Sequence, residues 1–165
     1  MKSARAILPV IPSLLDRLID ADPDSDSDPI IPSGKQLSEI KDNVRRDLEN
    51  LLNTRLRKPV NLQRYPELVS SVVNYGLPDF SHIAIESENE QVDFANTIAV
   101  IIERYEPRFS QVQVNIRPIG DGLQRALHVK ISAILLVEPD PIPVIFDSRL
   151  KYIDKRLTLR ELKHG

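Results

Sequence analysis

Glu106, Pro107 and Arg108 hold the densest local chemistry in this chain, set between Tyr105 and Phe109. Proline lacks a backbone donor and disfavours helical geometry in the residue before it, so a helix must stop at about Glu106. In extended backbone, side chains two apart point the same way, so the Glu106 carboxylate and the Arg108 guanidinium can share a face. Such a pair at a rigid corner can brace the fold, or it can give a partner a fixed recognition point. The residues alone leave both open.

Catalytic alternatives are weaker. A glycosidase needs two carboxyl groups facing across a cleft, and Glu103, Glu106 and Asp79 are the candidates. Arg104 and Arg108 beside them favour ionised carboxylates, which suits a general acid poorly. The chain has no tryptophan to stack on a sugar. Asp79, Ser81 and His82 have the residue types of a hydrolytic triad, but no nucleophile elbow accompanies them, and hydrogen bonding within a polar turn explains them better. His82, His128 and His164 lack metal-ligand partners at helical or hairpin spacing. Asp22, Asp24, Asp26 and Asp28 alternate like a calcium loop, yet an EF-hand register from Asp22 puts Ser27 and Ser33 where Gly and Glu are required. Five glycines form no phosphate-binding loop. The expectation is no catalytic residue, no cofactor and no metal.

Composition narrows the class further. Aromatics are 5% of 165 residues, so the core must be built mainly from Ile, Leu and Val. A net charge of -2 and the lack of a basic, aromatic-rich patch argue against a nucleic-acid binder. The absence of cysteine rules out disulfides and thiolate sites and suits a reducing compartment. Pro9, Pro12, Asp16 and Arg17 interrupt the apolar start, which reads against a signal peptide, and no apolar run approaches a membrane span. A soluble, intracellular protein is expected.

The elements that must position the corner are legible from periodicity. Pro12–Ala21 reads as a short amphipathic helix, followed by an acidic, Pro- and Ser-rich linker to about residue 33. Leu37, Ile40, Val44, Leu48, Leu51 and Leu52 make one stripe of a helix ending near Thr54, with Lys41, Arg45, Arg46, Glu49 and Asn50 on its other faces. A shorter helix is expected over Pro66–Tyr75, closed by Gly76. A third main helix runs Glu90–Tyr105, with Val92, Ala95, Ile98, Ala99, Ile102 and Tyr105 inward. The period then changes from 3.6 to 2. Val112, Val114 and Ile116 alternate with polar residues, and Gly120-Asp121-Gly122 signals a turn. Leu127 to Leu135 and Val144 to Tyr152 make two further strands. The predicted fold is α+β: N-terminal helices packed on a C-terminal three-stranded antiparallel meander. The segments are 1–33 (helix and linker), 34–154 (the α+β domain) and 155–165 (a basic tail).

Three stretches in this order resemble the TssE family, the type VI secretion relatives of the small wedge protein of contractile phage baseplates. They are Val44 to Arg55 (VRRDLENLLNTR), Ser70 to Phe80 (SSVVNYGLPDF) and Tyr105 to Phe109 (YEPRF). Pro12 to Leu18 (PSLLDRL) is similar to the secretion branch. The likeness covers about residues 12–153. It implies a non-enzymatic subunit of a cytoplasmic baseplate docked at the inner membrane, within a large hetero-oligomer. The implied partners are other wedge proteins and contractile sheath subunits, without nucleic acid or membrane insertion. It implies that Glu106, Pro107 and Arg108 bind wedge partners, and that the sheet resembles the sheath's interlocking strands. A sheet with free edges agrees, because an unpaired edge can take a strand from another chain. Two other functions remain on the residues alone: a peptidoglycan-cleaving, lysozyme-like hydrolase, and a regulatory adaptor binding a single protein.

Overall fold

Apolar residues at three- and four-residue steps coil the first half of the core into α1 (Ser33–Asn53), which buries Ile40, Val44, Leu48, Leu51 and Leu52. The computed structural model describes Leu18 and residues 33–56, 64–79, 87–120, 126–137, 140–151 and 156–162. The expected N-terminal helix otherwise lies outside the described residues, as do Ser81, His82, His164 and the acidic run; Leu18 is helical and exposed.

A capping box starts α2 (Glu88–Tyr105). Glu90 N–H donates to Ser87 Oγ at 3.2 Å, and Ser87 N–H donates back to Glu90 Oε2 at 2.9 Å. The inward face is Phe94, Ala95, Ile98, Ile101 and Ile102. Val92, expected inward, is instead 56% exposed. At 3.6 residues per turn it sits about 120° from the centre of that face, whereas Phe94 lies about 40° from it. The helix ends at Tyr105, with Glu106 N–H still bonded to Ile102 O.

Between the helices the chain departs from expectation. Pro66–Ser70 and Val72–Asn74 are two short 3-10 turns rather than one α-helix. Ser71 separates them in extended geometry, with its N–H and Oγ both donating to Leu68 O. The β-branched Val69, Val72 and Val73 and two serines have little helical preference, and the serine hydroxyl competes for the backbone. Gly76 follows at φ +109, and Leu77 N–H donates to Thr54 O at 2.9 Å. A Cβ on Gly76 would lie 2.5 Å from that same carbonyl oxygen.

Four strands, not three, form the antiparallel sheet, in the order β1 (Phe109–Ile119), β2 (Ala126–Leu135), β3 (Ile142–Lys151) and β4 (Leu159–Glu161). Inward residues Leu127, Val129, Ile131 and Ala133 pack with Val144, Phe146 and both helices in one core. A bulge between Ser110 and Gln113, with Gln111 at φ 52, adds one residue to β1. That extra residue reverses the alternation, so Phe109 and Val112 both turn inward although they are three apart.

The fourth strand comes from the segment expected to be a basic tail. Leu157 and Leu159 are buried, while Arg156, Thr158 and Arg160, which alternate with them, are exposed. One flank of α1, in steps of four, holds this segment. Lys41 pairs with Glu161 at 2.6 Å, Glu49 Oε1 accepts from Leu159 N–H, and the Asn53 amide bonds both backbone groups of Leu157. Periodicity placed Lys41 and Glu49 only on the faces of α1 away from its apolar stripe. The sequence signal was slight: two leucines at alternate positions in a charged run. Among the described residues, strand order β1-β2-β3-β4 leaves β1 and β4 at the edges.

Gly76→Ala is expected to destabilise the protein by roughly 1–3 kcal/mol, because it adds a steric clash to a left-handed backbone. Urea unfolding measures this, and an unchanged midpoint would contradict the close approach at Thr54.

Candidate functional site

Chain reversal at residues 106–109 is a hydrogen-bonded turn, with Phe109 N–H donating to Glu106 O at 3.1 Å. Pro107 lies exposed at its apex, and Glu106 and Phe109 are buried on either side. This geometry brings the Arg108 guanidinium back onto Glu106. Arg108 Nε donates to Glu106 Oε1 at 2.7 Å and Nη2 donates to Oε2 at 2.6 Å, a two-pronged pairing. The backbone N–H of Arg108 adds a longer bond to Oε1. Glu106 is 5% exposed, so its charge depends on these donors.

A second carboxylate comes from 61 positions earlier in the chain. Asp47 Oδ2 on α1 accepts from Arg108 Nη2 at 2.7 Å. Arg108 therefore ties the end of α2 and the start of β1 to α1. Burial disfavours the guanidinium's charge, but bonding and attraction from Glu106, and then from Asp47, outweigh it and hold its pKa above the ordinary value. Sequence reasoning joined Glu106 to Arg108 and missed Asp47. Its signal was position: three residues after Val44 and four before Leu51, it lies beside the buried stripe of α1.

Two tyrosines extend the cluster. The rings of Tyr75 and Tyr105 meet edge to face with centroids 5.2 Å apart. Tyr105 Oη donates to the carbonyls of Ser71 and Val69, at 3.0 and 3.3 Å, which fixes the 3-10 segment beside the corner. The Tyr75 phenol is pushed above its usual pKa of 10.0 by burial first, then by the negative charges of Asp47 and Glu106.

The other candidate residues do not join this cluster. Glu103 and Asp79 are exposed, and Glu106 has both carboxylate oxygens engaged by Arg108. His128 Nε2 pairs with Asp147 on the sheet, away from the corner. Among the described residues, no cluster of three or more His, Asp or Glu has metal-binding geometry, and no helix is long and apolar enough to cross a membrane.

This corner lies inside residues 38–140, which match the family described as baseplate wedge protein gp25. The chain belongs to that family. The family is one of structural baseplate proteins, and the matched span holds α1 from Ser38 onward, α2, the corner and the first two strands. A chain from a solved structure titled "The baseplate complex from the type VI secretion system" has a similar fold. Its TM-score is 0.51 at 17% identity, over 78% of this chain and 98% of that one. No curated protein sequence matches this chain.

Arg108→Ala leaves a buried carboxylate without its cation and is expected to cost about 2–4 kcal/mol, somewhat below a fully buried pair because the guanidinium is partly exposed. Asp47→Asn keeps a hydrogen-bonding group and should cost about 1 kcal/mol. Double-mutant cycles by chemical unfolding should show stronger coupling of Arg108 to Glu106 than to Asp47; the reverse order contradicts the geometry.

Ultraviolet titration of the tyrosines should show one phenol ionising late, absent in Tyr75→Phe. Because the folded state raises this pKa, its stabilising contribution is complete below pH 10 and lost as pH rises through the folded value. A late phenol that persists in Tyr75→Phe would assign the effect elsewhere.

Proposed function

We propose that this chain is a TssE-like wedge subunit of a type VI secretion baseplate, assembled in the cytoplasm at the inner membrane. In this role it contacts other wedge proteins through Glu106, Pro107 and Arg108 and starts sheath polymerisation by strand pairing. Family membership and the fold shared with a chain of a secretion baseplate complex support the placement.

One observation carries the strand-pairing part: among the described residues, β1 is an eleven-residue edge strand that pairs with β2 alone. Arg108 O accepts from Leu136 N–H, which fixes the phase of the β1–β2 ladder. Alternation along β2 then directs the amides of Gln113, Asn115 and Arg117 inward to β2, and those of Val114 and Ile116 outward. Pro118 falls in the outward phase, where its missing donor costs the ladder nothing. A strand from another chain can bond this edge through main-chain groups alone.

The corner contributes differently from a free cation. Arg108 is already shared between two carboxylates, so a wedge partner meets an ordered surface around exposed Pro107 and loses little entropy in ordering it. A hydrolase gains no support from this geometry, since Glu106 faces a guanidinium rather than a second acid.

Val114→Pro removes an outward amide while keeping the β1–β2 bonds. Sheath formation in cells should fall roughly tenfold or more, while co-purification with wedge proteins persists. Pro107→Ala should do the opposite: weaken wedge co-purification with stability within about 0.5 kcal/mol of wild type. Normal sheath formation with Val114→Pro, or undiminished wedge binding with Pro107→Ala, would refute the corresponding contact.

A further inference from the structure

The outer face of the sheet carries charge that the fold does not use. Leu127, Val129 and Ile131 turn to the core, so His128, Lys130 and Ser132 point the other way. The strand register sets Arg117, His128 and Arg149 side by side across β1, β2 and β3. The next row runs Asn115, Lys130, Asp147 and Arg160 across all four strands. Each strand thus brings one cation, alternating between the two rows.

Arg117, Lys130, Arg149 and Arg160 are all exposed, and among the described residues none makes an ion pair. Asp147 is the one carboxylate in these rows, and it pairs with His128. Four cations against one carboxylate leave this patch at +3, in a chain whose total is -2. With strands about 5 Å apart and rows about 7 Å apart, neighbouring cations stand about 9 Å from each other. That is close to one Debye length at physiological salt, so their repulsion is only partly screened. An open hollow of about 450 Å³ lies over Asn115, Arg117, His128 and Lys130.

We propose that this face docks an acidic segment of a partner protein, with Asp and Glu side chains set over Arg117, Lys130, Arg149 and Arg160. The two rows hold no Phe, Tyr or Trp on which a base could stack, their one ring, that of His128, is paired with Asp147, and Asp147 in their midst disfavours a continuous polyanion. Asn115, Gln113 and Ser132 supply hydrogen bonds suited to a peptide. The site is separate from the β1 edge: strand pairing uses backbone at the rim, whereas this docking uses side chains on the face. Its steep dependence on charge makes it a selector of partner and of association rate.

The test uses the full chain and a labelled twelve-residue peptide of alternating Glu and Ser, followed by fluorescence anisotropy at low and physiological salt. Binding should weaken with salt, and Lys130→Gln with Arg149→Gln should raise Kd roughly tenfold while the circular dichroism spectrum is unchanged. Arg64→Gln, an exposed cation outside the sheet, should leave Kd as in wild type. Equal losses in both variants, or no loss in the double variant, would overturn the assignment. Tighter binding of a single-stranded oligonucleotide of equal length would make the ligand a nucleic acid instead. Peptide binding that appears only after Asp22, Asp24, Asp26 and Asp28 are changed to Asn would make the chain's own acidic run the occupant and overturn a partner in trans.

Discussion

The guanidinium of Arg108 is the constraint on which the assembly of this fold depends. It is the point where the end of α2, the turn into β1 and the polar flank of α1 are held together, through Glu106 on one side and Asp47 on the other. Hydrophobic burial brings helices and sheet into contact but is indifferent to small slides between them. A two-pronged bond to a 5% exposed carboxylate is not, because displacement strands a buried charge. The apolar core supplies cohesion, and this cluster sets the relative position of its parts.

The same cluster also links the corner to a distant stretch of sequence. Tyr75 packs on Tyr105, and Tyr105 bonds the carbonyls of Val69 and Ser71. Gly76 then brings the chain against Thr54 at the end of α1. The three stretches that resembled a known family are therefore one spatial unit: the polar end of α1, the 3-10 segment and the corner. Bracing does not exclude the proposed recognition role, since a surface offered to a partner must first be held still.

Periodicity revealed the parts of the fold that are amphipathic over many residues. The α1 stripe and the alternation along β2 could each be read because one face is consistently apolar. Features decided by meetings between distant elements could not. Asp47 looked like one more charge on a helix, and only the packing of α1 against the corner gives it a partner. The bulge at Gln111 has no glycine to announce it, and it changes which residues of β1 face inward. Strand β4 is three residues long in a charged run, so its identity rests on Lys41, Glu49 and Asn53, which hydropathy cannot reveal.

The fastening of β4 to α1 also has a consequence for valency. A flat sheet with two open rims can add strands on both sides and grow without limit. Here one rim is a short strand clasped to a helix, whereas the opposite rim presents eleven residues. Under the strand pairing proposed above, such a unit would be monofunctional in the polymer chemist's sense, with one rim open to addition. Growth begun on it would then have a direction, and two copies joined through their open rims would exhaust each other rather than propagate.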